Sequence, residues 1–306
     1  MIAGMIKSRV TLKQLEAFVF VVDLGSFRGA ASALGTTQPN VSARISALEA
    51  TLDAVLMHRD AGSVRLTEAG QRLLDPARET LRAAERFLES ADRKDLIAER
   101  WRLGVTELVA CSWLHDFLRA FKAEYSSISV ELDVDLSVEI ERRLLANQLD
   151  LALQTGPFKT DLPSTLALGR YPYAWVATPD LRSTLGTEPK LEQLFDHAIL
   201  SHARFGTATS ELLAEAKARG LAVERVGTIS SLVACQTMAE DGMGIALLPR
   251  HVTRDALAAG RLVEVDCAWH PKALEVFARY DRKRAPGYVE KAARVAVVIA
   301  AEDKEK

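Results

Sequence analysis

The chain has 306 residues, 48% of them hydrophobic and 26% charged, with a formal net charge of −2. That is enough chain for two or three domains of ordinary soluble composition, and a charge so close to zero does not mark a nucleic-acid binder by itself. No apolar run approaches the ~20 residues that span a bilayer, and Lys7 and Arg9 interrupt the start, so no signal-peptide core is expected and neither is a membrane partner. The expected compartment is the reducing cytoplasm, which suits three cysteines, Cys111, Cys235 and Cys267, that show no metal-ligand spacing.

The first segment is predicted to form short packed helices. Thr11 and Gln14 make a capping box, and Leu12, Leu15, Phe18, Val19 and Val22 then share one helical face. Gly25 stops that helix, and Ser26 caps a second, which carries Ala30, Ala31 and Leu34 and ends at Gly35. Thr36 or Thr37 caps a third, with Pro39 in its first turn, where a missing N–H costs nothing. Burying Val41, Ile45 and Leu48 leaves Asn40, Ser42, Ala43, Ser46 and Ala47 outside, a face of small and polar side chains. Such a face either presses against a surface or is simply solvated. Residues 56–59 and 64–66, around a turn at Gly62, read as a two-stranded wing.

Thr67 caps a long helix running to about Asp92. Leu74, Leu81 and Leu88 recur every seven residues, with Gly70, Ala77, Ala84 and Ala91 between them. This is a narrow seam of the kind that pairs helices of two subunits; packing within its own chain is the alternative. Beyond Lys94 the pattern becomes alternating strands and helices. Strands are predicted at 101–106, 128–134, 149–154, 167–177, 198–201, 245–248 and 261–265, and helices at 113–124, 138–146, 209–219 and 232–240. Alternation of this kind gives α/β layers around a mostly parallel sheet. Residues 302–306 read as a charged tail. The six histidines lack metal spacing, no G-x-S-x-G elbow occurs, and the thiols have no activating neighbours, so no catalytic residue, metal or cofactor is expected and the chain is not read as an enzyme.

The stretch from Leu12 to Leu74 resembles the DNA-binding domain of LysR-type transcriptional regulators. The resemblance is carried by Leu15, Glu16, Ala17 and Phe18; Gly25, Ser26 and Phe27; Ala30 and Ala31; Gln38 and Pro39; Val41 and Ser42; Leu48 and Glu49; and Leu66 through Gly70. Leu149 to Leu153 and Asp241 to Pro249 extend it more loosely. Asp53 departs from the pattern, standing where the family usually has Gly, as does Met57, where Phe is usual. The implied architecture is an α+β multi-domain chain. Residues 1–66 form a winged helix-turn-helix and 67–94 a linker helix for dimerisation. Residues 95–306 form a two-lobed, periplasmic-binding-protein-like effector domain, with lobe I at 95–168 and 270–306 and lobe II at 169–269.

In a helix-turn-helix the second helix meets base edges with its first turns. The expected DNA contacts are therefore Thr37, Gln38, Pro39, Asn40, Ser42 and Arg44, with Arg59 and Arg65 flanking the wing. Gln38 is suited to read adenine. The first 66 residues hold seven Lys or Arg against five acids, so affinity is expected to need several subunits together. The positions that align with the family's cleft are Thr106, Gln154, Thr155, Ser201, His202, Arg204, Ser230 and Ser231. Hydroxyls and N–H groups at helix starts suit a small organic anion. The resemblance thus implies double-stranded DNA, a small-molecule effector, a homodimer or homotetramer, and RNA polymerase as partners.

Overall fold

The structure, a computed structural model, describes residues 9–60, 63–97, 100–203 and 206–305. The N-terminal domain packs α1 (Leu12–Leu24), α2 (Phe27–Ala33) and α3 (Gln38–Leu52) beside an antiparallel hairpin of β1 (Met57–Asp60) and β2 (Ser63–Leu66). The local signals act as their chemistry dictates. Thr11 and Gln14 cap α1 reciprocally, Ser26 caps α2 and Thr37 caps α3. Asp53, at the end of α3, adopts the left-handed φ of 49° that a glycine takes without strain and that Asp tolerates better than most residues. Phe18, Val41, Ile45, Leu48, Leu56 and Met57 make the core. The long helix α4 (Glu68–Ser90) follows. Gly70 is required where it meets the wing, because a Cβ there would run into the Leu56 carbonyl oxygen.

The rest of the chain forms two five-stranded sheets. The first is built from β3 (Arg100–Val105), β4 (Ser129–Val134), β5 (Leu151–Thr155) and β6 (Ser164–Tyr171), with α5 (Glu107–Ala110), α6 (Leu114–Glu124) and α7 (Ser137–Leu145) between them. The chain then crosses to β7 (Tyr173–Ala177), α8 (Pro179–Ser183), α9 (Leu191–Leu194), β8 (Ile199–His202), α10 (Thr207–Ala218), β9 (Val226–Ile229), α11 (Leu232–Glu240), β10 (Ile245–Pro249), α12 (Arg254–Ala258) and β11 (Val263–Val265). It returns as β12 (Leu274–Tyr280) and ends in α13 (Gly287–Glu305). The sheet orders are β4-β3-β5-β12-β6 and β11-β7-β10-β8-β9.

Two expectations are corrected. The run 167–177 is not one strand. Pro172 has no N–H for a ladder, and the chain changes sheet there, so Gly169 to Tyr171 still pair with β12 and belong with the first lobe, not the second. Each sheet is mostly parallel, as expected: four of its five strands run the same way, and one, β12 in the first sheet and β7 in the second, runs against them. β3 is parallel to β4 and β5, but β12 is antiparallel to β5 and β6; β8 is parallel to β9 and β10, but β7 is antiparallel to β10 and β11. The reversed strand in each sheet, β7 or β12, is the one that follows a crossing between the sheets and not a local strand–helix–strand unit. Finally, the tail is no tail. Residues up to 305 continue α13, which buries Tyr288, Val289, Ala292, Ala293, Ala296 and Ala300 on the first lobe. That core runs on into the second lobe through Leu200, Leu232, Cys235, Ala246 and Leu248, so the two lobes meet over apolar surface.

Candidate functional site

The exposed start of α3 presents Thr37, Gln38, Pro39 and Asn40, with Ser42 and Arg44 half-buried behind them. Thr37 Oγ1 accepts the Asn40 N–H at 3.4 Å, and the Asn40 amide nitrogen donates to Thr36 Oγ1 at 2.8 Å. Asn40 is thus partly occupied in capping, whereas Gln38, Arg44 and Arg65 make no side-chain hydrogen bond or ion pair among the described residues and are available to a ligand. Arg65 is exposed on the wing, opposite His58 in the hairpin register. The Arg59 side chain lies outside the described residues. The wing is fixed to α3 by Glu49, whose Oε1 accepts the Leu56 N–H at 2.8 Å. It is fixed to α4 by Thr67, which donates to the Val55 carbonyl at 2.6 Å and accepts the Gly70 N–H at 3.0 Å.

The second site lies where the lobes meet. Thr106 ends β3 and its N–H donates to the Leu153 carbonyl at 3.0 Å. Continuing the register Gly104 to Ala152 and Val105 to Leu153 sets Thr106 beside Gln154 on one sheet face. Both residues are buried, and Thr106 Oγ1 and both amide atoms of Gln154 have no hydrogen-bond partner among the described residues. Next to them, Glu107 crosses to the second lobe. Its carboxylate accepts the Leu232 N–H at 2.7 Å, the Ser231 hydroxyl at 2.8 Å and the Val233 N–H at 3.5 Å, all at the start of α11. His202 Nε2 stands 3.4 Å from the same carboxylate, and burial holds its imidazole below the ordinary histidine value although Glu107 pulls the other way. Ser231 is also the N-cap of α11.

This pairing of a helix-turn-helix with a two-lobed domain recurs in known proteins. Residues 12–71 match the family model for the bacterial regulatory helix-turn-helix protein, lysR family, and residues 94–296 match the LysR substrate binding domain. The chain belongs to the LysR family. The transcriptional regulator CbbR of Cereibacter sphaeroides is 28% identical over 265 residues, 84% of each chain. Among solved structures, ArgP from Mycobacterium tuberculosis superposes with a TM-score of 0.61 at 23% identity, covering 94% of this chain and 96% of that one. LysG from Corynebacterium glutamicum with bound effector Arg gives 0.58 at 21% identity, covering 95% and 98%. At that identity these structures show the fold.

As a LysR-type transcriptional regulator, the chain has a DNA-binding and an effector-binding part, and the structure does not bring all the expected effector residues together. Ser231 and His202 gather at the Glu107 carboxylate, and Thr106 and Gln154 lie side by side next to Glu107. Ser201 does not join them: strand side chains alternate, so with His202 toward α11 its neighbour faces α10, where its hydroxyl is buried and bonded to Thr209 Oγ1 at 2.7 Å. Thr155 is tied to Ser137, whose hydroxyl accepts its N–H at 2.9 Å and donates to its carbonyl at 2.7 Å. Ser230 is exposed. Arg204 lies outside the described residues. Glu107 was not expected. An acid in a helix's first turn reads as a partner for its own helix dipole, and nothing local in the sequence shows that it serves another helix.

The leucines of α4 are partly buried against the chain's own cores. Leu74 and Leu81 pack against the N-terminal core around a buried Ala77, and Leu88 packs against the first lobe. The second half of α4 is held on α13 by Glu85, which accepts the Gly287 N–H, and by Glu89, which pairs with Lys291 at 2.6 Å and accepts the Tyr125 hydroxyl at 2.7 Å. Among the exposed residues of α4, Pro76, Thr80, Ala83 and Phe87 are spaced three and four apart beside the charged Arg72, Asp75, Glu79 and Arg86, and Phe87 is 74% exposed. No described helix is long and apolar enough to cross a membrane.

Proposed function

We propose that this LysR-type regulator reads its operator through Gln38 and the first turns of α3, with Thr37, Pro39, Asn40, Ser42 and Arg44 beside it and Arg59 and Arg65 on the flanking backbone. Its response is proposed to come from a small organic molecule bound between the lobes. The observation that carries the second part is the buried, unpartnered set of Thr106 Oγ1 and the Gln154 amide, because an unmet buried polar group costs about 1–3 kcal/mol. Such groups are retained where a ligand satisfies them. A carboxylate on that ligand suits Ser231, His202 and the start of α11, and the effector Arg bound to LysG has such a group. Two copies are proposed to associate through α4, so that each weak half-site contact is reinforced by the other, and the DNA-bound form to act on RNA polymerase.

The test is a footprint on the gene's own upstream DNA with and without members of a panel of small organic acids, alongside a thermal-shift screen of the same panel. A ligand of the folded state raises the melting temperature by mass action. An effector should both shift the melt and change the footprint, and Gln154→Leu should remove both effects while leaving basal DNA binding in place. A footprint change that persists in Gln154→Leu would place sensing elsewhere.

A further inference from the structure

The start of α11 is a finished carboxylate-binding seat. Two backbone N–H groups of a nine-residue helix and the Ser231 hydroxyl converge on one carboxylate, with His202 Nε2 standing 3.4 Å away and making no hydrogen bond, and that carboxylate belongs to Glu107 of the opposite lobe. Helix starts favour anions because their N–H groups are unpaired and the helix dipole is positive there. We propose that Glu107 is an internal occupant of this seat, and that an effector binds by putting its own carboxylate there in place of Glu107. This rests on reading the junction of the lobes as the effector site and adds the class of ligand and the competition it must win.

The second support is independent of the helix. Thr106 precedes Glu107, and Gln154 stands beside Thr106, so the unpartnered hydroxyl and amide flank the residue that fills the seat. A tethered group competes at an effective concentration of about millimolar or above. A simple acid such as acetate therefore loses to Glu107. An acid that also offers hydrogen-bonding groups to Thr106 and Gln154 gains contacts that Glu107 leaves unmade. Glu107 thus filters ligands, admitting polyfunctional carboxylates and rejecting small ones. The exchange also matters for shape, because the Glu107 bridge ties lobe to lobe. An effector that takes its place keeps the lobes together only if it touches both, and the balance moves by the difference in its affinity for the two arrangements.

The experiment uses the full chain and formate as the probe. In Glu107→Ala, formate should raise the melting temperature saturably, at concentrations roughly tenfold or more below those that act on the wild type. Chloride at the same ionic strength should not. Formate acting equally on both proteins, or on neither, overturns the proposal. Adding Ser231→Ala to the Ala variant should abolish the formate effect; an effect that survives puts the anion elsewhere and also overturns it. A variant that folds only with formate present supports the proposal. Should the Ala variant fail to fold at all, Glu107→Gln decides. The nearly isosteric amide keeps the seat filled, so it should melt below wild type and ignore formate, and a Gln variant as stable as wild type overturns the proposal. None of these measurements involves DNA or an effector. Formate rescue combined with an operator footprint that no acid alters would therefore refute the effector reading of the lobe junction and leave the seat standing.

Discussion

Arg279 on β12 and Glu141 on α7 form an ion pair sealed under the first lobe, with Arg279 Nη1 3.1 Å from Glu141 Oε1 and Arg279 fully buried. Burial alone would raise the Glu141 carboxyl, but the N–H groups of Lys159 and Thr160 and the Arg279 guanidinium outweigh it, and Glu141 is held below the ordinary 4.5. The face of Phe158 lies over the guanidinium at 3.8 Å. A carboxyl lowered in the folded state contributes stability that is present above its unfolded value and is lost as pH falls through the folded one. Glu141→Gln leaves a buried cation without its counter-charge and should cost about 3 kcal/mol at pH 7. The gap to wild type in urea unfolding should narrow below pH 4.5, as the wild type loses its own carboxylate. A gap that stays constant with pH would mean that the charge does not matter.

Gly70 should not tolerate even a methyl group. The Cβ of Gly70→Ala meets the Leu56 backbone, which cannot move aside as a side chain can, so the wing and α4 must separate. Overpacking of this kind costs about 1–3 kcal/mol. The loss should appear in the melting of the N-terminal domain and in weaker DNA binding on every sequence, specific or random.

Gln38→Ala should behave differently. Gln38 is exposed and makes no side-chain bond among the described residues, so stability should not change. If it reads a base bidentately, operator affinity falls by about 1–3 kcal/mol while affinity for random DNA holds. Equal losses on both would make it a backbone contact.

On α4, the outcome separates two faces of one helix. Leu81→Glu puts a charge against the N-terminal core and should destabilise the monomer. Phe87→Glu touches the exposed face and should leave the melt unchanged but lower the sedimentation coefficient, if copies pair there. Sedimentation unaffected by Phe87→Glu would exclude that face.

The N-terminal domain could be read almost element by element because its signals are local: Thr11 with Gln14, Ser26, Thr37 with Pro39, and the stripe of Val41, Ile45 and Leu48 each act within a few residues. What escaped is what distance decides. β12 lies between β5 and β6 only because the chain returns from the other lobe, and nothing local in its sequence says which strands it will join. The heptad in α4 is real as a period, but a period does not say whether the partner is another subunit or, as for Leu88, the chain's own first lobe. Thr106, Ser201 and Ser231 were named from the family resemblance, and strand alternation turns Ser201 away toward Thr209. Glu107 was hidden because its partner helix begins 125 residues away.

Thr106→Val should move stability and signalling in opposite directions. The hydroxyl is buried, and its Oγ1 has no partner among the described residues. Valine keeps the shape and removes the unmet group, so the variant without effector should be stabilised, by about 1 kcal/mol if the desolvation cost of that hydroxyl is typical. A purely structural Thr106 would have no other effect. If the hydroxyl exists to meet an effector, the same change takes away one of its hydrogen bonds. The effector concentration that half-shifts the footprint should then rise about tenfold for each 1.4 kcal/mol lost. Basal operator binding should hold, since Thr106 stands in the first lobe and the DNA-reading surface is on α3. Two curves therefore decide the matter, the melting of the free protein and the effector titration of the footprint. A melt raised with an unchanged titration would leave Thr106 a packing residue, and a melt lowered by Val would show that the hydroxyl is bonded in the free protein after all.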